Sequence, residues 1–137
     1  MDPTKGTPEE SRLERGMRVR REVLGHAHVD AAEAERSDLD RDFQRFITET
    51  AWGGVWSRPD LDRRTRSLIT IGILAALGRG DELAMHLRAS LNTGVSTAEV
   101  REALFHVALY AGLPAAHAAF SLAKRELEPE PGRGGDA

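Results

Sequence analysis

Residues 62–77 constrain the fold more than any other stretch. After Asp62-Arg-Arg-Thr-Arg-Ser67 come ten residues, 68–77, of which only Thr70 and Gly72 are not strongly apolar. A helix apolar on nearly every face is expected to be buried on nearly every face. The stretch therefore reads as the central helix of an all-helical domain. Gly78 and Gly80 then break the chain, Asp81 can cap a second helix over 82–93, and Gly94 ends it. On that second helix Glu82 and His86 stand four residues apart and so share a face.

Length and charge narrow the possibilities. The chain has 137 residues, which suits one domain with its own core. It has no cysteine, so disulfides, thiolate metal sites and thiol mechanisms are all excluded. Nineteen basic and 22 acidic residues are interspersed for a net charge of −3, and nothing points to nucleic acid or a membrane surface as partner. The first residues are polar and lack an apolar signal core. The longest apolar run is too short to span a bilayer. A soluble, cytoplasmic protein is expected.

Along the chain, 1–6 is expected to be disordered, 7–127 to form the single helical domain, and 128–137 to be a flexible tail. Thr7-Pro-Glu-Glu10 reads as a capping box opening a helix from about Pro8 to Leu24, with Gly25 closing it. Its other faces are rich in arginine; most are a solvated surface, with Arg20 or Arg21 placed to reach an anionic ligand. His26-Ala-His28-Val-Asp30 reads as a connector, with a helical turn over 30–36. Ser37 or Asp38 caps a helix over 39–53, where Leu39, Phe43, Phe46 and Ile47 follow helical spacing. Trp52 and Trp56 flank a glycine pair and either fill a core or interface or wall an apolar pocket. Ser96-Thr-Ala-Glu99 is a second capping box, opening a helix over 97–111, and the last helix covers 114–127. No strand-like alternation appears. The sum is a compact bundle of five to six helices.

The runs Val23-Leu-Gly25, His28-Val-Asp30, 43–56 with its Ala51-Trp-Gly, 59–77, His86-Leu-Arg-Ala, Asn92-Thr-Gly94-Val and Val107-Ala-Leu-Tyr-Ala-Gly-Leu-Pro114 carry a resemblance. Together they make the chain similar to the carboxymuconolactone decarboxylase family over about 16–127. The resemblance implies an all-α fold shared with the alkylhydroperoxidase-D-like proteins and a homo-oligomer, commonly a hexamer. The peroxidase branch of that fold carries Cys-x-x-Cys-x-x-x-His on the helix that here holds His86. The two cysteine positions are Arg79 and Glu82 in this chain, so thiol peroxidase chemistry cannot occur. That branch also carries a glutamate where this chain has Ser67.

The reaction the resemblance implies converts 4-carboxymuconolactone, a small dicarboxylate lactone, to 3-oxoadipate enol-lactone and carbon dioxide in protocatechuate breakdown. The substrate ring is its own electron sink, so no cofactor and no metal are expected. The site residues implied are His86 as proton donor, with Glu82 orienting the imidazole. Arg63 and Arg64 bind substrate carboxylates beside Ser67. His28, Trp52 and Trp56 complete the substrate-binding set. Arg66 and Arg79 are weaker candidates, and His106 and His117 read as structural or interfacial. A metal site on Glu82, His86 and His26 or His28 is the lesser reading, because no zinc-enzyme histidine motif is present. Two alternatives stay open: action on another small lactone or carboxylate, and a non-catalytic helical oligomer.

Overall fold

The helical spacing of the sequence is realised as helices throughout. The computed structural model describes residues 10–128, and among these every regular element is a helix. The elements are α1 (Arg12–Leu24), α2 (His26–Ala34), α3 (Arg41–Ile47), a π-helix (Thr48–Trp56), α4 (Arg63–Leu77), α5 (Gly80–Thr93), α6 (Thr97–Ala111) and α7 (Leu113–Leu127). The chain divides into two compact units, Met1–Asp60 and Leu61–Ala137. No helix among the described residues is long and apolar enough to cross a membrane.

In the first unit, α1 begins four residues later than the Thr7 box suggested. Ser11 is its N-cap: the Ser11 hydroxyl accepts from the Glu14 amide at 3.0 Å, and Glu14 accepts from the Ser11 amide at 2.8 Å. Thr7 itself and the 1–6 segment lie outside the described residues, as does the tail beyond Glu128. His26–Ala34 is a full helix, α2, rather than a connector. The helix expected over 39–53 starts at Arg41 and changes character at Thr48, where nine residues take up the wider π winding. Phe43 and Phe46 are more than half exposed, so their helical spacing does not mark a buried face within this chain.

Two glycines set how α1 meets the π-helix. A Cβ on Gly16 would fall 2.1 Å from the Thr48 carbonyl oxygen, and one on Gly53 would fall 2.4 Å from the Arg12 carbonyl oxygen. Only hydrogen fits at either place, so the two backbones run in direct contact. The Gly53 carbonyl then accepts from the Ser57 hydroxyl at 2.7 Å and from Arg15 Nε at 3.3 Å. Around this seam Val19, Val23, Val29 and Trp52 are buried.

The second unit is built on α4. Asp62 is its N-cap and accepts from the Thr65 amide at 2.7 Å. Hydrogen bonds from the Thr65 side chain and backbone hold the Asp62 carboxyl below its usual range. The stability this contributes is present above the carboxyl's unfolded value and is lost as pH falls through the lowered one. At the other end Gly78 adopts the left-handed conformation, φ 72°, and a Schellman motif closes the helix. The Gly78 amide donates to the Ala75 carbonyl at 3.2 Å and the Arg79 amide to the Leu74 carbonyl at 3.0 Å. This turn is so tight that α5 starts at Gly80, two residues earlier than expected, with Arg79 in the cap position and no side-chain cap. Asp81 does not cap it; Asp81 and Glu82 instead lie in the first turn, where the helix dipole favours them. The Ser96–Glu99 capping box forms as read, and Gly94 ends α5 in the left-handed conformation, φ 84°.

Ile71, Ala75, Leu83, Leu87, Val100, Leu104, Val107, Ala116, Ala119 and Ala123 make the second unit's core. The expectation that α4 is buried on nearly every face is not met within one chain. Ser67, Ile71 and Ala75 are buried, but Ile69, Ile73 and Leu77 form a second stripe, 47, 53 and 60 % exposed. The apolar composition of α4 therefore exceeds what its own unit covers.

The seam in the first unit is directly testable. Gly16→Ala and Gly53→Ala each force a backbone shift, and each is expected to destabilise by about 1–3 kcal/mol or more. Urea denaturation followed by circular dichroism measures this; midpoints matching that of the unsubstituted chain would contradict the close approach.

Candidate active site

The sequence candidates fall in both units. The first carries His28, Trp52 and Trp56. His28 lies on α2 and is half-buried. Trp52 is buried and Trp56 half-buried, with ring centroids 5.1 Å apart and planes tilted by 34°. The pair forms one aromatic surface on the π-helix, adjoining the glycine seam.

The second unit carries Arg63, Arg64, Ser67, Glu82 and His86. On α4, Ser67, Ile71 and Ala75 recur every four residues and define the buried stripe. Arg63 stands one turn before Ser67 on the same stripe and is half-buried. On α5, Leu83, Leu87 and Ser90 face inward, and His86 lies at the shoulder of that face. α4 and α5 pack against each other, and Ile71 and Ala75 meet Leu83 and Leu87 in one core. The packed pair thus presents three buried polar side chains among aliphatic ones: Ser67, 0 % exposed, His86, 6 % exposed, and Ser90, 1 % exposed, whose hydroxyl donates to the Leu87 carbonyl at 2.5 Å.

Ser67 is unusual in what it does not do. Other helix hydroxyls in this chain bond back to the carbonyl four residues earlier: Thr70 to Arg66 at 2.8 Å and Thr48 to Gln44 at 2.9 Å. The Ser67 hydroxyl is shielded from water and has no hydrogen-bond partner among the described residues. Such a group costs about 1–3 kcal/mol of stability. His86 Nδ1 is likewise shielded from solvent.

Two expected roles meet a different geometry. Arg64 is exposed where Arg63 is half-buried, and its guanidinium pairs with the carboxylate of Glu99 on α6. Glu99 is also the capping-box carboxylate, accepting from the Ser96 amide at 2.9 Å. Arg64 thus ties the start of α4 to the start of α6, and its charge is already matched. Glu82 is exposed, whereas His86, one turn later on α5, is buried. Arg66 is half-buried and Arg79 exposed. His106 and His117 are exposed; His106 stacks on Tyr110 with centroids 6.4 Å apart. Among the described residues no three His, Asp or Glu side chains are grouped so as to hold a metal ion.

Of Arg20 and Arg21, which the sequence offered together as candidates to reach an anionic ligand, Arg20 is the buried one. Arg20 falls on the α1 stripe of Gly16, Val19 and Val23, and it is buried with them. An arginine in register with an apolar face was the available signal.

Comparison with known proteins identifies the family. A profile of the carboxymuconolactone decarboxylase family matches residues 41–125. A 4-carboxymuconolactone decarboxylase of Acinetobacter baylyi is 53 % identical over 116 residues, which cover 85 % of this chain and 87 % of that protein. A nitrosuccinic acid decarboxylase of Metarhizium robertsii is 43 % identical over 102 residues, covering 74 % of this chain and 71 % of its own. A 4-carboxymuconolactone decarboxylase of Pseudomonas putida is 47 % identical over 45 residues, 33 % of this chain. The chain is a decarboxylase and belongs to the carboxymuconolactone decarboxylase family.

Proposed function

We propose that this decarboxylase acts on 4-carboxymuconolactone, releasing carbon dioxide and 3-oxoadipate enol-lactone, in the cytoplasmic breakdown of protocatechuate. The observation that carries the reading furthest is the buried, unpartnered Ser67 hydroxyl on a helix packed against the one bearing buried His86, in a chain 53 % identical to a decarboxylase of that lactone.

The chemistry requires little else. The departing carboxylate sits on a saturated ring carbon conjugated, through the ring double bond, to the lactone carbonyl. When the carbon–carbon bond breaks, its electron pair moves through the ring onto the carbonyl oxygen and a furan-like dienolate forms. A proton then adds to the ring carbon beside that carbonyl. The substrate is its own electron sink, so the reaction needs no cofactor. His86 delivers the proton; a placed donor is worth about a hundred- to ten-thousand-fold. Ser67 donates its unused O–H to the developing oxyanion, and a preorganised donor of this kind contributes roughly 3–4 kcal/mol. Arg63 takes a substrate carboxylate through its planar fork. Glu82 acts at most from the solvent side, and Arg64 holds the scaffold.

A second substrate is favoured by one relative, the nitrosuccinic acid decarboxylase. Nitrosuccinic acid also has two carboxylates, and its nitro group is an oxygen-based electron sink beside one of them. The same proton donor and the same hydroxyl serve both molecules. Offering each to the purified chain in turn identifies the preferred one.

The exposed apolar surface supports a homo-oligomer, a hexamer as the family resemblance implies. Ile69, Gly72, Ile73 and Ala76 of α4 and Ala103, His106 and Tyr110 of α6 line a groove of about 490 Å³ with almost no polar surface. Tyr110 is 83 % exposed and Leu109 71 %. Apolar patches this extensive on one chain mark interaction sites. Light scattering at micromolar concentration should report a multiple of 15.0 kDa, and Ile73→Glu should lower it. A monomeric unsubstituted chain would contradict this assembly.

The catalytic roles predict distinct kinetics. His86→Ala should lower kcat by about a hundredfold or more with little change in KM, because the group acts in the transition state. Ser67→Ala should lower kcat by about a hundredfold while leaving Tm equal or higher, because it removes an unsatisfied buried group. Arg63→Ala should raise KM. Arg64→Ala should leave KM nearly unchanged and cost at most about 1 kcal/mol of stability, as for other exposed ion pairs. Folded His86→Ala that keeps more than about a tenth of kcat would remove His86 from the reaction.

A further inference from the structure

α6 ends at Ala111 and α7 begins at Leu113, so the chain reverses at Gly112 and the start of α6 lies beside the end of α7. Between those two ends, within the second unit alone, is a cavity of about 140 Å³. Val100 and Leu104 of α6 and Phe120, Ala123 and Leu127 of α7 make its apolar lining. Val100, Leu104 and Ala123 belong to the core, and Phe120 meets Phe105 edge to face, ring centroids 6.0 Å apart. Alanine at 123 leaves the space open; a larger side chain there would fill it. A dry apolar cavity of roughly 150 Å³ admits one benzene ring. None of the residues assigned to the decarboxylation lines this cavity.

The polar part of the lining is charged and unequal. Arg101 comes from α6 and Lys124 from α7, with Glu128 as the single carboxylate and Thr97 beside it. Arg101 pairs with its chain neighbour Glu102, Nε to Oε2 at 3.2 Å, and both side chains are more than half exposed. A pair of that kind contributes about 0–1 kcal/mol and exchanges readily for another anion. On α7 the acidic residue near Lys124, Glu126, is taken by Arg88 at 3.0 Å and by Arg125 at 3.5 Å. Two cations from two helices therefore border a ring-sized apolar space. An apolar body with a few convergent polar groups is the usual composition of a small-molecule site.

We propose that this cavity binds a small monocarboxylic acid with one ring-sized apolar body. The ring occupies the space bounded by Val100, Leu104 and Phe120, and the carboxylate lies at the mouth between Arg101 and Lys124. Glu128 sets the specificity. A second carboxylate on the ligand would meet either Glu128 or the apolar lining, and an unpaired charge is unfavourable in both places. The site therefore rejects dicarboxylates, which separates it from a site for the dicarboxylate lactone. It rests on the cavity and its charges, not on the substrate reading.

The test uses the full chain and 4-fluorobenzoate as probe, with binding read by ligand-observed fluorine NMR. The wild type should bind the probe saturably. It should bind 4-fluorophthalate, which adds a second carboxylate to the same ring, about tenfold or more weakly. Arg101→Gln and Lys124→Gln alter exposed side chains outside the core, and each should weaken 4-fluorobenzoate by about fivefold, the size of one exposed charge contact. Ala123→Leu fills the cavity and should abolish binding. Circular dichroism checks its fold, and the two surface variants decide the matter if it does not fold. Glu128→Gln should leave 4-fluorobenzoate binding equal or tighter and narrow the gap to 4-fluorophthalate. A wild type without saturable binding overturns the proposal, as does affinity unchanged in both Arg101→Gln and Lys124→Gln. Lactone kinetics separate this cavity from the active site. Both surface variants should keep the wild-type kcat and KM. A probe that competes with the lactone and ignores both substitutions sits in the active site, which also overturns the proposal. A wild type that binds the probe through Lys124 but does not turn over the lactone sinks the substrate reading and leaves this site standing.

Discussion

The second unit depends on the Schellman turn at Gly78 and Arg79. Two backbone hydrogen bonds, Gly78 to Ala75 and Arg79 to Leu74, reverse the chain within two residues. So short a reversal holds α5 against α4 and brings Ile71 and Ala75 onto Leu83 and Leu87. With that register set, polar Ser67 and His86 are carried into the interior by the aliphatic residues around them. Their burial follows from packing that needs neither of them. A longer loop would relax the register and with it the geometry of both groups.

Ser67 weakens the fold where it is. An unsatisfied hydroxyl is less favourable than an apolar side chain of similar size. Enzymes tolerate such groups where charge develops, because donors fixed in a dry setting need not reorganise during the reaction. A neutral donor such as the Ser67 hydroxyl suits a reaction whose transition state puts negative charge on oxygen.

What was legible in the sequence was local. The Ser96–Glu99 box, the Gly94 terminus and the run of α4 all depend on residues within one or two turns, and they appear where the spacing put them. The start of α1 was misread because two capping boxes lie in tandem, Thr7-x-x-Glu10 and Ser11-x-x-Glu14, and local chemistry ranks them equally. The π-helix was not legible, and it begins at Thr48, whose carbonyl lies against Gly16, 32 positions away. The same holds for Arg64, whose partner Glu99 lies on another helix. Helical spacing showed that Glu82 and His86 share a face; it could not show that one points to solvent and the other inward. The stripe of Ile69, Ile73 and Leu77 is exposed although the composition of α4 reads as buried, because composition does not report which faces of a helix its own chain covers.

The central claim is that this fold decarboxylates 4-carboxymuconolactone with its own side chains and the substrate's own electron sink. The most direct measurement follows the ultraviolet absorbance of freshly generated 4-carboxymuconolactone mixed with the purified chain after exhaustive chelation, with no nucleotide or reductant added. The account predicts rapid loss of the lactone with one carbon dioxide released per molecule consumed. Activity that disappears on chelation and returns with a single divalent metal would contradict it.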